Sequence, residues 1–144
     1  LVAGRPLILG GVTIEHTHGL VGHSDADAVL HAIADALLGA AALGDIGDMF
    51  PDTDPQYSGA SSAHLLSEVV RRVRVAGWRI ANVDLVVHAE RPRLAHHKLA
   101  MRNCIAELLL ISPDRVSVKA KTGELVGPIG RGEAISCEAV VLIE

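Results

Sequence analysis

Residues 22–47 read GHSDADAVLHAIADALLGAAALGDIG, and residues 48–55 continue as DMFPDTDP. Val29, Leu30, Ile33, Leu37 and Ala41 recur at helical spacing, so the run predicts an amphipathic helix from just after Ser24 to about Leu43. Ser24 stands before it with Asp27 three residues on, resembling a capping box with Asp in place of Glu. A helix that only fills a core has no use for His31, which lies one turn from both Asp27 and Asp35. Carboxylates at that spacing can orient an imidazole, and an imidazole can ligate a metal; taken alone, a hydrogen-bonded structural histidine is the simpler reading. His23 and Ser24 sit where free N–H groups and the helix dipole favour phosphate, a role compatible with plain capping. The Gly, Asp and Pro content of GDIGDMFPDTDP (44–55) predicts a loop.

Outward from this helix, RPLILGGVTI (5–14) reads as two short strands turning at Gly10 and Gly11. A second helix is expected from about Ser61 to Ala76, closed by Gly77, with Arg71, Arg72 and Arg74 as a solvated face. RIANVDLVVHA (79–89) is a strand and ERPRL (90–94) a loop; a third helix follows from Ala95 to Leu110. RVSVKAK (115–121) and AISCEAVVLI (134–143) are strands joined by the glycine-rich GELVGPIGRGE (123–133). The order ββα-αβ-αββ with short connections predicts an α+β fold, a mixed β-sheet with helices packed on one face. Strands such as VDLVV (83–87) and AVVLI (139–143) read apolar on both faces, so the uncovered sheet face is expected to be buried between subunits.

The chain has 144 residues, the size of one domain, and is 49% hydrophobic with one Trp, one Tyr and one Phe. Its core must therefore be Ala, Val, Leu and Ile. So few aromatics, with a net charge of −4, argue against nucleic-acid binding. An anionic ligand must be held by local cations, backbone N–H groups or metal ions. Cys104 and Cys137 fit no metal or CxxC spacing and read as buried free thiols, consistent with a reducing cytoplasm. No apolar run reaches membrane-spanning length. KAKTGE (119–124) and GRGE (130–133) set Lys119, Lys121, Thr122 and Arg131 beside glycines, either an anion site or a β-connection with exposed charges. It is not a P-loop. No serine or cysteine stands in a nucleophile motif, as suits a reaction whose nucleophile belongs to the substrate.

Together, GHSDADAVLHAIADALLGAAALGDIG, FPDTDP, KAKT and GRGE resemble the 2-C-methyl-D-erythritol 2,4-cyclodiphosphate synthases, in order and spacing from the first hairpin to the last strand. The resemblance implies one synthase domain over residues 1–144, assembling as a cytoplasmic homotrimer around a three-fold axis with each active site at a subunit boundary. It implies cyclisation of the cytidine diphosphate substrate 4-diphosphocytidyl-2-C-methyl-D-erythritol 2-phosphate, with release of CMP, in the non-mevalonate route to isoprenoids. The substrate's own 2-phosphate attacks the β-phosphorus, which calls for alignment and charge neutralisation more than a protein nucleophile. Zinc and a second divalent cation, magnesium or manganese, are the implied cofactors, the second bridging the substrate phosphates.

Position by position, the resemblance makes His31 a zinc ligand. It makes His23 and Ser24 the pair that touch the substrate phosphates, His23 assisting the transition state. Asp45, Ile46 and Gly47 hold the methylerythritol hydroxyls, and Phe50, Pro51, Asp52, Thr53 and Asp54 continue that wall. Thr122 stabilises the transferring phosphate, with Lys121, Gly123 and Glu124 beside it. Ala89, Glu90, Arg91, Pro92, Arg93 and Leu94 form the loop whose backbone reads cytosine for a neighbouring subunit. Arg131 lies near the trimer axis, where an isoprenoid diphosphate sits in some family members.

Three departures stand out. The family often has Thr-Thr-Thr-Glu where this chain has Lys121-Thr122-Gly123-Glu124, which adds a cation and removes a hydroxyl. Pro128 replaces an aromatic at the mouth of the axial cavity. The family's Asp-x-His, carrying the other two zinc ligands, would end just before Leu1 and is expected in the natural protein ahead of this sequence. Without it, His31 is expected to meet water or a neighbouring carboxylate instead of a complete zinc site. Two other readings stay open at this level: a non-catalytic nucleotide-binding domain, and a metal-dependent phosphohydrolase with water as nucleophile.

Overall fold

In the computed structural model, which describes residues 1–22, 24–51, 53–57 and 59–144, the chain opens with β1 (Val2–Ala3) and β2 (Leu7–Leu9). Gly10 and Gly11, at φ 62° and 77°, turn β2 back into antiparallel β3 (Val12–Ile14). Then β4 (His18–Gly19) returns to pair with β1. The hairpin expected around Gly10 and Gly11 is thus present, as a two-stranded sheet of its own.

The first helix, α1 (Ala28–Ala40), buries Val29, Leu30, Ile33, Ala34, Leu37 and Leu38. Its N-cap is Asp27, not Ser24. Ala26 takes a left-handed turn (φ 59°), which puts Asp27 in extended backbone before the first helical residue. Asp27 is fully buried; its Oδ1 accepts from Gly10 N, Val29 N and Leu30 N at 2.9–3.1 Å, and its Oδ2 from Gly11 N at 2.7 Å. One carboxylate therefore closes the hairpin turn and starts the helix. Burial pushes it above the usual carboxylate range, against the downward pull of the Gly11, Leu30 and Gly10 N–H groups. The helix stops at Ala40 instead of running to Leu43. Ala42 is left-handed (φ 57°), and Leu43 N and Ala42 N bond back to Leu38 O and Gly39 O, a Schellman end.

The segment expected to be a plain loop contains α2 (Ile46–Met49), set by a capping box between Asp45 and Asp48. After it come α3 (Ser62–Val75), ended by Gly77 at φ 99°, and β5 (Ile80–His88). A 3₁₀ turn leads into α4 (Lys98–Leu109); then follow β6 (Val116–Lys121), the short α5 (Gly127–Gly130) and β7 (Ser136–Ile143).

The main sheet has the order β6-β5-β7, with β5 parallel to β6 and antiparallel to β7. Its inner face, with Val83, Leu85, Val87 and Val116, joins one core with the buried faces of α1, α3 and α4. This is the expected α+β arrangement. The outer face is less uniformly apolar than the sequence suggested: Asp84 and Lys119 pair there at 2.9 Å. On β7, however, Val140 and Leu142 stand 73% and 60% exposed. The two cysteines are free and half-buried, and burial pushes the Cys137 thiol up to about 12.

Candidate active site

The polar stripe on α1 separates into three jobs. Asp27 latches the hairpin. Asp35 Oδ1 accepts from Ile46 N at 2.8 Å, tying the start of α2 to α1. Between them His31 faces neither carboxylate: its Nε2 lies 2.9 Å from Ser62 Oγ and 3.2 Å from Ser24 Oγ. The imidazole expected to meet water or a carboxylate thus meets two hydroxyls. A carboxylate stands one step beyond, because Asp25 accepts from Ser62 N at 3.1 Å and from the Ser62 hydroxyl.

Asp25 also does for α3 what its own N-cap does not, since Ser61 makes no side-chain capping bond. Ser24 is buried, and its Oγ accepts from Ala26 N at 3.3 Å. Behind this loop Arg5 donates to Ser24 O at 2.7 Å and to Gly22 O at 3.3 Å.

Ser24 and His31, with Gly22, Ile46, Gly47, Phe50, Tyr57 and Leu65, line a cavity of about 330 Å³. Phe50 is buried and meets Tyr57 edge-on at 5.0 Å. Five of the residues proposed from sequence (Ser24, His31, Ile46, Gly47 and Phe50) therefore share one pocket. Asp45 is not the idle loop carboxylate its flanking glycines suggest: its Oδ1 accepts from Asp48 N at 2.8 Å as the cap of α2. Pro51 and Thr53 are exposed, and Asp54 caps the following turn by accepting from Gln56 N at 3.1 Å. None of these three lines the cavity. His23 and Asp52 lie outside the described residues.

A second group forms at the C-terminal ends of β5 and β6. Glu90, Arg91, Arg93 and Arg131 line a cleft of about 150 Å³ with Leu125, Gly130 and Gly132. Glu90 Oε2 accepts from Gly123 N at 2.9 Å, joining the two loops. A Cβ on Gly123 would come within 2.6 Å of Gly130 N, which explains the glycine here. Thr122 Oγ1 accepts from Glu124 N at 3.2 Å, with Glu124 in a left-handed turn (φ 53°). Lys121 is exposed, whereas Ala89 and Leu94 are buried and leave only backbone for a ligand; Pro92 follows a cis peptide bond. Arg131 makes a two-point pair with Glu133 at 2.9 and 3.1 Å, which holds the Glu133 carboxyl below its ordinary range.

The two clusters share no lining residue. Among the described residues, no three of His, Cys, Asp and Glu come together to hold a metal ion. His31 alone is not a zinc site. Arg5, Asp25, Ser62 and Tyr57 were not singled out from sequence. Asp25 and Ser62 lie 37 residues apart, and the Arg5 contacts run to carbonyls, which leave no trace in residue type.

Residues 1–144 match the family model described as the YgbB family. A relative from Laribacter hongkongensis (strain HLHK9), named 2-C-methyl-D-erythritol 2,4-cyclodiphosphate synthase, is 62% identical over 144 residues, covering 100% of this chain and 89% of its own. A relative of the same name from Bordetella avium (strain 197N) is 57% identical over 143 residues, with coverage of 99% and 88%. A solved structure of a synthase of that name in a CDP-bound form superposes with a TM-score of 0.91 at 39% identity, over 99% of this chain and 93% of that one.

Proposed function

The chain belongs to the YgbB family, and we propose that its Ser24–His31 cavity and its Glu90–Arg131 loops are two halves of one active site, joined across the subunit boundary of a homotrimer. The reaction is the cyclisation of 4-diphosphocytidyl-2-C-methyl-D-erythritol 2-phosphate to 2-C-methyl-D-erythritol 2,4-cyclodiphosphate, a lyase step of isoprenoid biosynthesis. A bond forms between a 2-phosphate oxygen and the β-phosphorus, and the bond from that phosphorus to the bridging oxygen breaks, releasing CMP.

The observation that carries the assignment of roles is the grouping of Ser24 and His31 with Ile46, Gly47 and Phe50 in one cavity. In this reading His23 and Ser24 meet the phosphates while Asp45, Ile46 and Gly47 meet the methylerythritol hydroxyls, against the wall that begins at Phe50. The resemblance assigns Pro51, Asp52, Thr53 and Asp54 to the continuation of that wall, of which Pro51, Thr53 and Asp54 lie outside the cavity lining. The 89–94 loop reads cytosine with backbone groups, held to the 121–124 turn by Glu90. Thr122 acts on the phosphate in flight, flanked by Lys121 and Glu124. Positioning and charge placement of this kind are what phosphoryl transfer requires of a protein.

Metal dependence belongs to the same reading: His31 would hold zinc together with further ligands, and magnesium or manganese would neutralise charge on the substrate phosphates. The homotrimer is supported by Val140 and Leu142, exposed on the sheet face that no helix covers. No helix among the described residues is long and apolar enough to cross a membrane, and a cytoplasmic location fits the route. Purified enzyme given the cytidylyl substrate and divalent cation should release CMP with no orthophosphate. Orthophosphate as the product would make it a hydrolase, and binding without product would make it a nucleotide-binding domain.

A further inference from the structure

Arg5 lies outside every cluster described above, yet its guanidinium is built into one of them. The chain that leads to the Ser24 loop packs against the backbone of Arg5 and Pro6. At Gly19 a Cβ would collide with the carbonyl oxygens of Arg5 and Pro6, so the two backbones touch where only glycine fits. From there the Arg5 Nη2 reaches Gly22 O at 3.3 Å and Ser24 O at 2.7 Å. These carbonyls belong to the residues on either side of His23 in the sequence.

A single guanidinium nitrogen, Nη2, donates to both carbonyls and so ties Gly22 and Ser24 to the first hairpin. On the side of Ser24 away from that carbonyl contact, its hydroxyl lies 3.2 Å from His31 Nε2, in the cavity. Arg5 thus grips the rear of a loop whose front lines the cavity. A lysine ends one bond short of Nη2, where the guanidinium carbon stands, so its ammonium does not reach both carbonyls from the same backbone.

We infer that Arg5 is a positioning residue for the cyclisation, holding Gly22 and Ser24 by their carbonyls so that Ser24 meets the substrate phosphates in reacting geometry. The inference rests on the proposed role of His23 and Ser24. Misplacing a reacting group by about 1 Å can cost roughly 100-fold in rate. Arg5→Ala should therefore lower kcat about 10- to 100-fold while KM changes little. Millimolar guanidinium should restore part of that loss in Arg5→Ala and leave the wild type unchanged. Arg5→Lys, which keeps the charge, should recover little. An Arg5→Ala enzyme with wild-type kcat overturns the inference. So does a loss that guanidinium fails to repair, or one that Arg5→Lys fully repairs, since charge or bulk alone would then explain it. His23→Ala assayed alongside separates the two failures. If it turns over normally, the role given to this loop falls; if it is inactive beside an unimpaired Arg5→Ala, only Arg5's role falls.

Discussion

Replacing Asp27 with alanine should be among the most damaging single substitutions in this fold, and hydrogen-bond accounting says by how much. The carboxylate serves four backbone N–H groups, those of Gly10, Gly11, Val29 and Leu30. Three of these bonds are buried, so water cannot replace the lost acceptor. Loss of a helix N-cap costs about 0.5–2 kcal/mol, and each buried donor left unpaired costs about 1–3 kcal/mol. Relief of the buried carboxylate's own desolvation offsets part of that. A net loss of about 3–5 kcal/mol follows, a large share of the roughly 5–15 kcal/mol a domain has. Asp27→Asn is the informative control. An amide oxygen in the Oδ1 place keeps three of the four bonds, but the NH₂ group then faces the Gly11 N–H. It should cost about 1–3 kcal/mol. Urea unfolding followed by circular dichroism, at fixed protomer concentration, gives both numbers from the midpoint shift at constant slope. If Asp27→Ala loses under 1 kcal/mol, Asp27 is not the latch. If Asn is as damaging as Ala, the charge matters and the hydrogen bonds do not.

Thr122→Ala should lower kcat about 100-fold with a much smaller change in KM, because its hydroxyl is assigned to the transition state; steady-state kinetics reporting the reverse would make it an ordinary binding group. Asp45→Ala should raise KM roughly tenfold, the effect of about 1–3 kcal/mol of lost hydroxyl contacts, while the melting temperature barely moves because the helix it caps is short and exposed. With its thiol pushed up to about 12, Cys137 should resist alkylation at pH 8 in the native protein and react promptly once unfolded; mass spectrometry of the trapped protein reads the difference.

The helices and the main strands were legible because their apolar spacing is local: Val29, Leu30, Ile33 and Leu37 on α1, and alternating Val83, Leu85 and Val87 on β5. What escaped was decided by groups distant in sequence or invisible in residue type. Ser24 has the right chemistry for an N-cap, but Ala26 in a left-handed turn hands the position to Asp27. Nothing in alanine announces that turn. Likewise α2 was hidden in Gly- and Asp-rich sequence that reads as loop, although its capping box at Asp45 and Asp48 was there in the spelling. In the site, the family resemblance picked out Ser24, His31 and Phe50, and the fold gathers them in one cavity. The partners that orient them, Ser62 from α3 and Arg5 from the first hairpin, come from elsewhere in the chain.

The claim that the His31 cavity and the Thr122 turn form one site across a subunit boundary can be tested by mixing. His31→Ala and Thr122→Ala are each expected to keep no more than about 1% of the activity alone, since every boundary lacks one half. Co-expressed in equal amounts, the two chains should assemble at random into trimers in which about one boundary in four joins an intact cavity to an intact turn. Cyclic diphosphate formation by the mixture should therefore return to about a quarter of the wild-type rate per subunit. A mixture as inactive as either parent would contradict the account.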